Sequence, residues 1–194
     1  MAPGATAILV AHFRRTYDRV LRVVDDLSEA QLGWRPTPRA HSIGWNLWHL
    51  ARWTDHLQAS VPSMTAVLTE RLGPARQIWA ADELAARWGL EASELGQHET
   101  GMLMADEGAA RLALPTRDVL FDYLRRAFAA AERAIGAIDD VELTRPNALE
   151  LAGNPSSRLT VGDAVTAHLE HNNRHLGEIE CLRGLLGLPG TATQ

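Results

Sequence analysis

An all-helical bundle is the fold the sequence predicts, on three observations. Apolar residues recur at spacings of three and four through four long segments. Those segments open or close on Pro, Gly, Ser or Thr residues suited to helix ends. No stretch shows the strict alternation of a half-buried strand. With 194 residues, 46% apolar and 22% charged, the chain suffices for one well-buried core and is short for two, so a single domain over residues 1–194 is expected.

The first helix is read from about Ala7 to Leu27, where Leu9, Phe13, Tyr17, Val20, Val24 and Leu27 form one stripe. The segment from Gly33 to Pro38 contains two prolines and ends it; Ser42 then caps a second helix running to about Ser60, before Pro62. Signals weaken between Pro62 and Leu114, with short helical patterns at Met64–Leu72 and Asp82–Trp88 and a Gly-containing stretch from Gly96 to Gly108. A connector that long suggests a crossover or a segment covering a site. Thr116, after Pro115, is placed to cap a third helix, whose stripe from Leu120 through Tyr123, Leu124, Phe128 and Ile135 continues to about Ile138. A loop is expected over Asp139–Arg158. Thr160 with Asp163 then makes a capping-box start for the last helix, which ends near Gly187 and Pro189.

Composition removes several classes of function. A net charge of -5 with no basic stripe argues against a nucleic-acid partner. Arg, His or Asp interrupts every apolar stretch before the roughly 18–20 residues of a membrane span, and the N-terminus has no charged-then-apolar signal pattern, so a cytoplasmic protein is expected. The single cysteine, Cys181, allows no intramolecular disulfide and no Cys-rich zinc site, which leaves nitrogen and oxygen to hold a metal. All 19 basic residues are Arg; without Lys there is no Schiff base, no pyridoxal phosphate linkage and no P-loop lysine.

The eight histidines are unevenly placed. His168, His171 and His175 fall within about 60° of one another on the last helix, given roughly 100° per residue. They share the face of Val161, Val165, Ile179, Leu182 and Leu186, while Glu170, Arg174 and Gly177 lie opposite. Imidazoles in an apolar stripe need partners, and a shared metal ion is one. Two His at i and i+4 reach one ion from adjacent turns. On the second helix the core stripe is Ile43, Leu47, Leu50 and Leu57, with His49 at its edge beside Trp45, Arg52, Trp53 and His56. One His from that helix with a His-x-x-x-His pair from the other makes a three-nitrogen site with positions left for water or substrate. On the residues alone the His171/His175 pair is open to two readings, metal ligands or hydrogen-bonded packing. His12, His41, His56 and His98 read as packing residues. Trp45, Trp48 and Trp53 read chiefly as core and rim packing, with Trp45 and Trp53 the candidates to line a bound group.

Three stretches carry a resemblance: Ser42-Ile43-Gly44-Trp45-Asn46-Leu47-Trp48-His49-Leu50, the Thr100-Gly101 pair, and His171-Asn172-Asn173-Arg174-His175-Leu176-Gly177-Glu178-Ile179 leading to Leu182-Arg183-Gly184-Leu185-Leu186-Gly187. In order and spacing the chain resembles the DinB-like superfamily of metal-binding four-helix bundles, which includes bacillithiol transferases and the metal-binding domain of mycothiol-dependent maleylpyruvate isomerase. The resemblance implies an up-down-down-up helix order, frequent homodimers, and His49, His171 and His175 as ligands. His168 has no required place in it; a second role behind the ligands, a core role, or a site built from His168 with His171 are the alternatives. The implied activity is a metal-dependent transfer or isomerisation in which a low-molecular-weight thiol is held as thiolate. Arg52 would hold an anionic substrate and Glu178 would act as base. The rivals are a hydrolase using metal-bound water and a non-catalytic metal-binding or stress-associated protein. Zinc leads among the metals, with nickel, iron(II) and manganese also compatible with three imidazoles.

Overall fold

The first long helix, α1 (Ala5–Val24), buries Phe13, Tyr17, Val20 and Val24 along one stripe. Gly4 offers no side chain to cap it; the amides of Ala5 and Thr6 donate instead to the Asp140 carboxylate, at 2.9 and 2.8 Å, which also places an anion at the positive end of the helix. The structure, a computed structural model, describes residues 2–149 and 159–191, so the end of the loop expected over Asp139–Arg158 lies outside the described residues. α1 stops earlier than the stripe suggests. A short α2 (Glu29–Gly33) follows, opened by a Ser28/Gln31 capping box, and Leu27 is buried in the turn between them.

The next long helix, α3 (Ile43–Ser60), starts where expected, with the Ser42 hydroxyl accepting from the Trp45 amide at 3.1 Å. Every residue from Ser42 to Arg52 is buried, the pattern of a helix covered on all sides. The connector holds α4 (Ala66–Leu72), α5 (Ile78–Ala81), α6 (Leu84–Arg87) and α7 (Asp106–Arg111). The helix expected over Asp82–Trp88 is shortened to α6, because Glu83, in a left-handed conformation (φ 52°), stands at its N-cap and separates it from α5. The third long helix, α8 (Arg117–Gly136), has Thr116 at its N-cap position, but that side chain makes no capping bond. The Glu29 carboxylate takes the Arg117 amide instead, at 2.7 Å. The last, α9 (Val161–Leu185), opens on the expected Thr160/Asp163 capping box.

Contacts between the long helices establish their directions. The start of α1 meets Ile138 and Asp140 just past the end of α8, and Arg117 at the start of α8 reaches the Asp25 carbonyl past the end of α1; these two run antiparallel. Arg183 near the end of α9 donates to the Val23 carbonyl and the Asp26 carboxylate, so α9 runs with α1. Asn46 meets His175 while Thr54 meets His168, so α3 and α9 are antiparallel. The order is up-down-down-up. α1 and α3 each pack against both α8 and α9, which sets α1 across one diagonal from α3 and leaves the α3/α9 seam for the histidines. No helix among the described residues is long and apolar enough to cross a membrane.

Candidate metal centre

Because α3 and α9 run antiparallel, a His in the middle of one faces a His pair one turn apart on the other. His49, His171 and His175 each offer a ligand atom, all lying within 4.8 Å of one another. His49 Nε2 and His171 Nε2 are 3.1 Å apart; two nitrogens on one tetrahedral zinc would stand about 3.3 Å apart at the usual ~2.0–2.1 Å bond length. The outer nitrogens of His49 and His175 are held by the protein, while His171 Nδ1 is buried without a hydrogen-bond partner. His49 Nδ1 donates to the Thr100 carbonyl at 2.5 Å. His175 Nδ1 lies 2.7 Å from Asn46 Oδ1 and 3.0 Å from Glu178 Oε2. With hydrogens fixed on those Nδ1 atoms, the Nε2 lone pairs of both rings turn toward the space shared with His171, an arrangement that a cation satisfies.

Electrostatics favour the same state. Burial, then repulsion from His175 and His171, holds His49 at about 2; burial, then His175, holds His171 at about 4. Both rings are therefore neutral at pH 7, the form that binds metal. Gly101 makes the Thr100 contact possible. It has φ +85°, and a Cβ there would lie 2.8 Å from the Trp48 ring and 2.9 Å from the Trp45 ring, so a side chain would drive the loop off His49. Beside the triad, between α3 and α9, is a cavity of about 450 Å³ whose walls include His171, His168, Trp53, Leu57, Met64 and Leu149.

The sequence profile of the DinB superfamily matches residues 12–179. The chain belongs to the DinB superfamily. Among solved structures it is similar to a conserved protein from Enterococcus faecalis, at 20% identity, TM-score 0.72 and coverage of 96% of this chain and 99% of that one. It is also similar to a protein from Streptococcus pneumoniae, at 13% identity, TM-score 0.62 and coverage of 95% and 92%. At such identities the likeness is one of fold. No curated protein matches the chain.

In this DinB-superfamily chain the remaining residues singled out from sequence fall in different places. Trp53 is half-buried, lines the cavity and stands edge-on to His171 with ring centres 5.9 Å apart. Trp45 is buried and stacks on His49 at 4.7 Å, supporting the ligand from behind; it does not line the cavity. Glu178 meets His175 on the nitrogen turned away from the shared space, and that hydrogen bond lowers its carboxyl below the usual value. It does not line the cavity either.

Arg52 differs most from the expectation that it faces a substrate anion. It is 1% exposed, and every guanidinium N–H is taken: by the carbonyls of Glu99 and His98, the Asp55 carboxylate, the Tyr123 hydroxyl and Gln77 Oε1. Its plane also lies over Trp79 at 4.5 Å. Asp55, fully buried, accepts the amides of Ile78 and Trp79 at 2.9 and 2.8 Å. Together Arg52 and Asp55 fasten the connector to α3, which in turn carries Thr100 to His49.

His168 stays outside the triad. It is buried, stacks on Phe13 and lies 3.5 Å from the Thr54 hydroxyl, and burial holds it at about 3. Asn46 and Thr100 are the partners that residue patterns alone did not mark as functional. Asn46 carries a usable signal, a polar residue one turn before His49 on a buried helix; Thr100 acts through its carbonyl, 51 residues away in sequence, and carries none.

Proposed function

We propose that this DinB-superfamily protein is a cytoplasmic, metal-dependent enzyme acting with a low-molecular-weight thiol, in a transfer or isomerisation, with zinc the leading metal and a second copy of the chain as its partner in solution. The observation that carries the reading is the convergence of three imidazoles beside a largely apolar cavity of about 450 Å³, within the 300–1,000 Å³ typical of small-molecule sites. His49, His171 and His175 would hold the ion. A divalent cation there supplies the positive charge that keeps an incoming thiol as thiolate near neutral pH. Thr100, Asn46 and Glu178 fix the tautomers and orientation of His49 and His175, so neither of these rings has to reorganise when the ion enters. Trp53, Leu57, Met64 and Leu149 form a water-excluding wall for an acceptor molecule. The only cysteine, Cys181, is exposed and is not among the residues lining that cavity, in keeping with a thiol supplied from outside.

The test begins with elemental analysis of untagged protein, with His49→Ala, His171→Ala and His175→Ala beside wild type. About one metal per wild-type chain and little in each variant is the expected result; equal content in all four proteins eliminates the site. The loaded protein is then offered N-acetylcysteine with an aryl halide, and separately an activated ester without thiol. Thiol-dependent conversion lost in His171→Ala supports the proposal. Ester turnover without thiol replaces it with a hydrolase, and metal binding with no turnover replaces it with a non-catalytic metal protein.

A further inference from the structure

Two imidazoles that the metal centre does not use stand in the same cavity. His56 is on α3, seven residues beyond His49, which at about 1.5 Å per residue is roughly 10 Å further along the helix axis. His98 comes from the connector, and the two rings face one another with centres 5.4 Å apart. Both line the cavity, together with Ser60. His56 Nδ1 has a long contact of 3.4 Å to the Ser60 hydroxyl. Among the described residues, His56 Nε2 and both nitrogens of His98 have no hydrogen-bond partner.

His98 is held there at some expense. It and Glu99 are consecutive non-glycine residues in the left-handed region, φ 54° and 55°, a conformation that side chains with a Cβ rarely adopt. Arg52 clamps both of their carbonyls, at 3.2 and 2.8 Å, and the Trp79 indole N–H donates to the Glu99 carboxylate at 2.6 Å. The same stretch ends at Thr100, the partner of His49. A strained, clamped tripeptide thus serves the triad with one end and the cavity with the other.

Between the two ends the walls are apolar, Leu57, Met64, Met102, Leu149, Ala164 and Ala167, except for Asn147, and among the described residues no acidic side chain lines the cavity. We propose that this cavity binds an elongated, largely apolar carboxylate, its aromatic or aliphatic body against Trp53 and Leu57 and its carboxylate accepting N–H bonds from His56 and His98. The proposal rests on the enzymatic reading above for its purpose, and assigns that site a substrate class.

Binding, not turnover, tests it. Isothermal titration of 4-phenylbutyrate and of 4-phenylbutanol is carried out on the metal-free full chain, so that the carboxylate has no ion to ligate, and repeated on the metal-loaded chain. The acid is expected to bind metal-free protein about tenfold more tightly than the alcohol, since a hydrogen bond to a charged group is worth about 1.5–3 kcal/mol. His56→Ala and His98→Ala are each expected to reduce affinity for the acid by about tenfold, leaving the alcohol and the metal content unchanged; His12→Ala, on α1, serves as control. Equal affinity for acid and alcohol, binding of neither, or indifference to both substitutions overturns the proposal. Acid binding only when metal is present also overturns it, by assigning the carboxylate to the ion. Because metal content and thiol transfer are measured separately, failure here leaves the enzymatic reading standing, and failure of thiol transfer leaves this binding test intact.

Discussion

The α1/α8 seam and the α3/α9 seam are both buried, yet they are built from opposite materials. Between α1 and α8, Tyr17 stacks on Phe128 with ring centres 3.9 Å apart, with Phe13, Val20 and Leu124 buried along the same helices. Across α3 and α9, the buried residues include Asn46, His49, Thr54, His168, Asn172 and His175. The first seam stabilises the bundle by removing apolar area from water. The second places polar groups where each needs a partner, and a natural sequence tolerates that where function requires it. Separating the two roles experimentally is therefore a matter of perturbing one seam and reading the other.

The largest effect is expected on the polar seam. His171→Ala should abolish stoichiometric metal binding, measured by elemental analysis after dialysis, while the metal-free variant unfolds in urea at least as late as metal-free wild type; an early unfolding midpoint would mean the histidine seam also carries structural stability. On the apolar seam, Phe128→Ala should lower unfolding free energy by about 3–5 kcal/mol with metal stoichiometry unchanged in the folded fraction. Loss of metal from folded Phe128→Ala protein would show the two seams to be coupled. A smaller effect is expected one layer behind the ligands: Asn46→Ala should weaken metal affinity by about 10–100-fold, read by competition with a chelating dye, and an unchanged affinity would leave Glu178 as the only partner His175 needs.

The smallest effect is a pH dependence. Burial holds His168 at about 3, against an ordinary value of 6.5. Below pH 6.5 the unfolded chain takes up a proton there that the folded chain refuses, so acidification from about 6.5 toward 3 removes stability from the metal-free protein, and a return to neutral pH restores it. His49 and His171 act in the same direction. His168→Phe should flatten part of this slope in urea melts at pH 7 and pH 5; an identical slope would mean that the ring is protonated in the folded state.

The same contrast explains what could be read from residues alone. The stripes of α1 and α8 are legible because a helix with one wet face must alternate, and Phe13, Tyr17, Leu124 and Phe128 do. α3 has no wet face along Ser42–Arg52, so its boundaries could be read from Ser42 and Pro62 but its surroundings could not. The histidines of α9 stand out because imidazoles at i and i+4 on an apolar face are costly to bury unless something between them satisfies their nitrogens. Arg52 was misplaced for a related reason. One turn from His49 on a helical wheel, it looks like a neighbour of the site, and nothing local says that a segment some 46 residues further on, near His98, will occupy its donors. The early ending of α1 at Val24 and the late start of α6 after Glu83 follow from a capping box and a left-handed residue, features decided by single side chains and single dihedrals.

The Thr100 carbonyl on His49 bears on any attempt to trim the molecule. A shortened chain that carried Ser60 back to Thr116 on a bare linker running the length of the parallel helices α3 and α8 would retain four long helices and all three imidazoles, and would pass for a minimal scaffold by circular dichroism. It would also leave the His49 ring free to spin and swap tautomers, and uncover the indoles of Trp45 and Trp48 against which Gly101 lies. Anyone grafting this triad into a designed bundle has to import the stretch around residues 98–101 along with it.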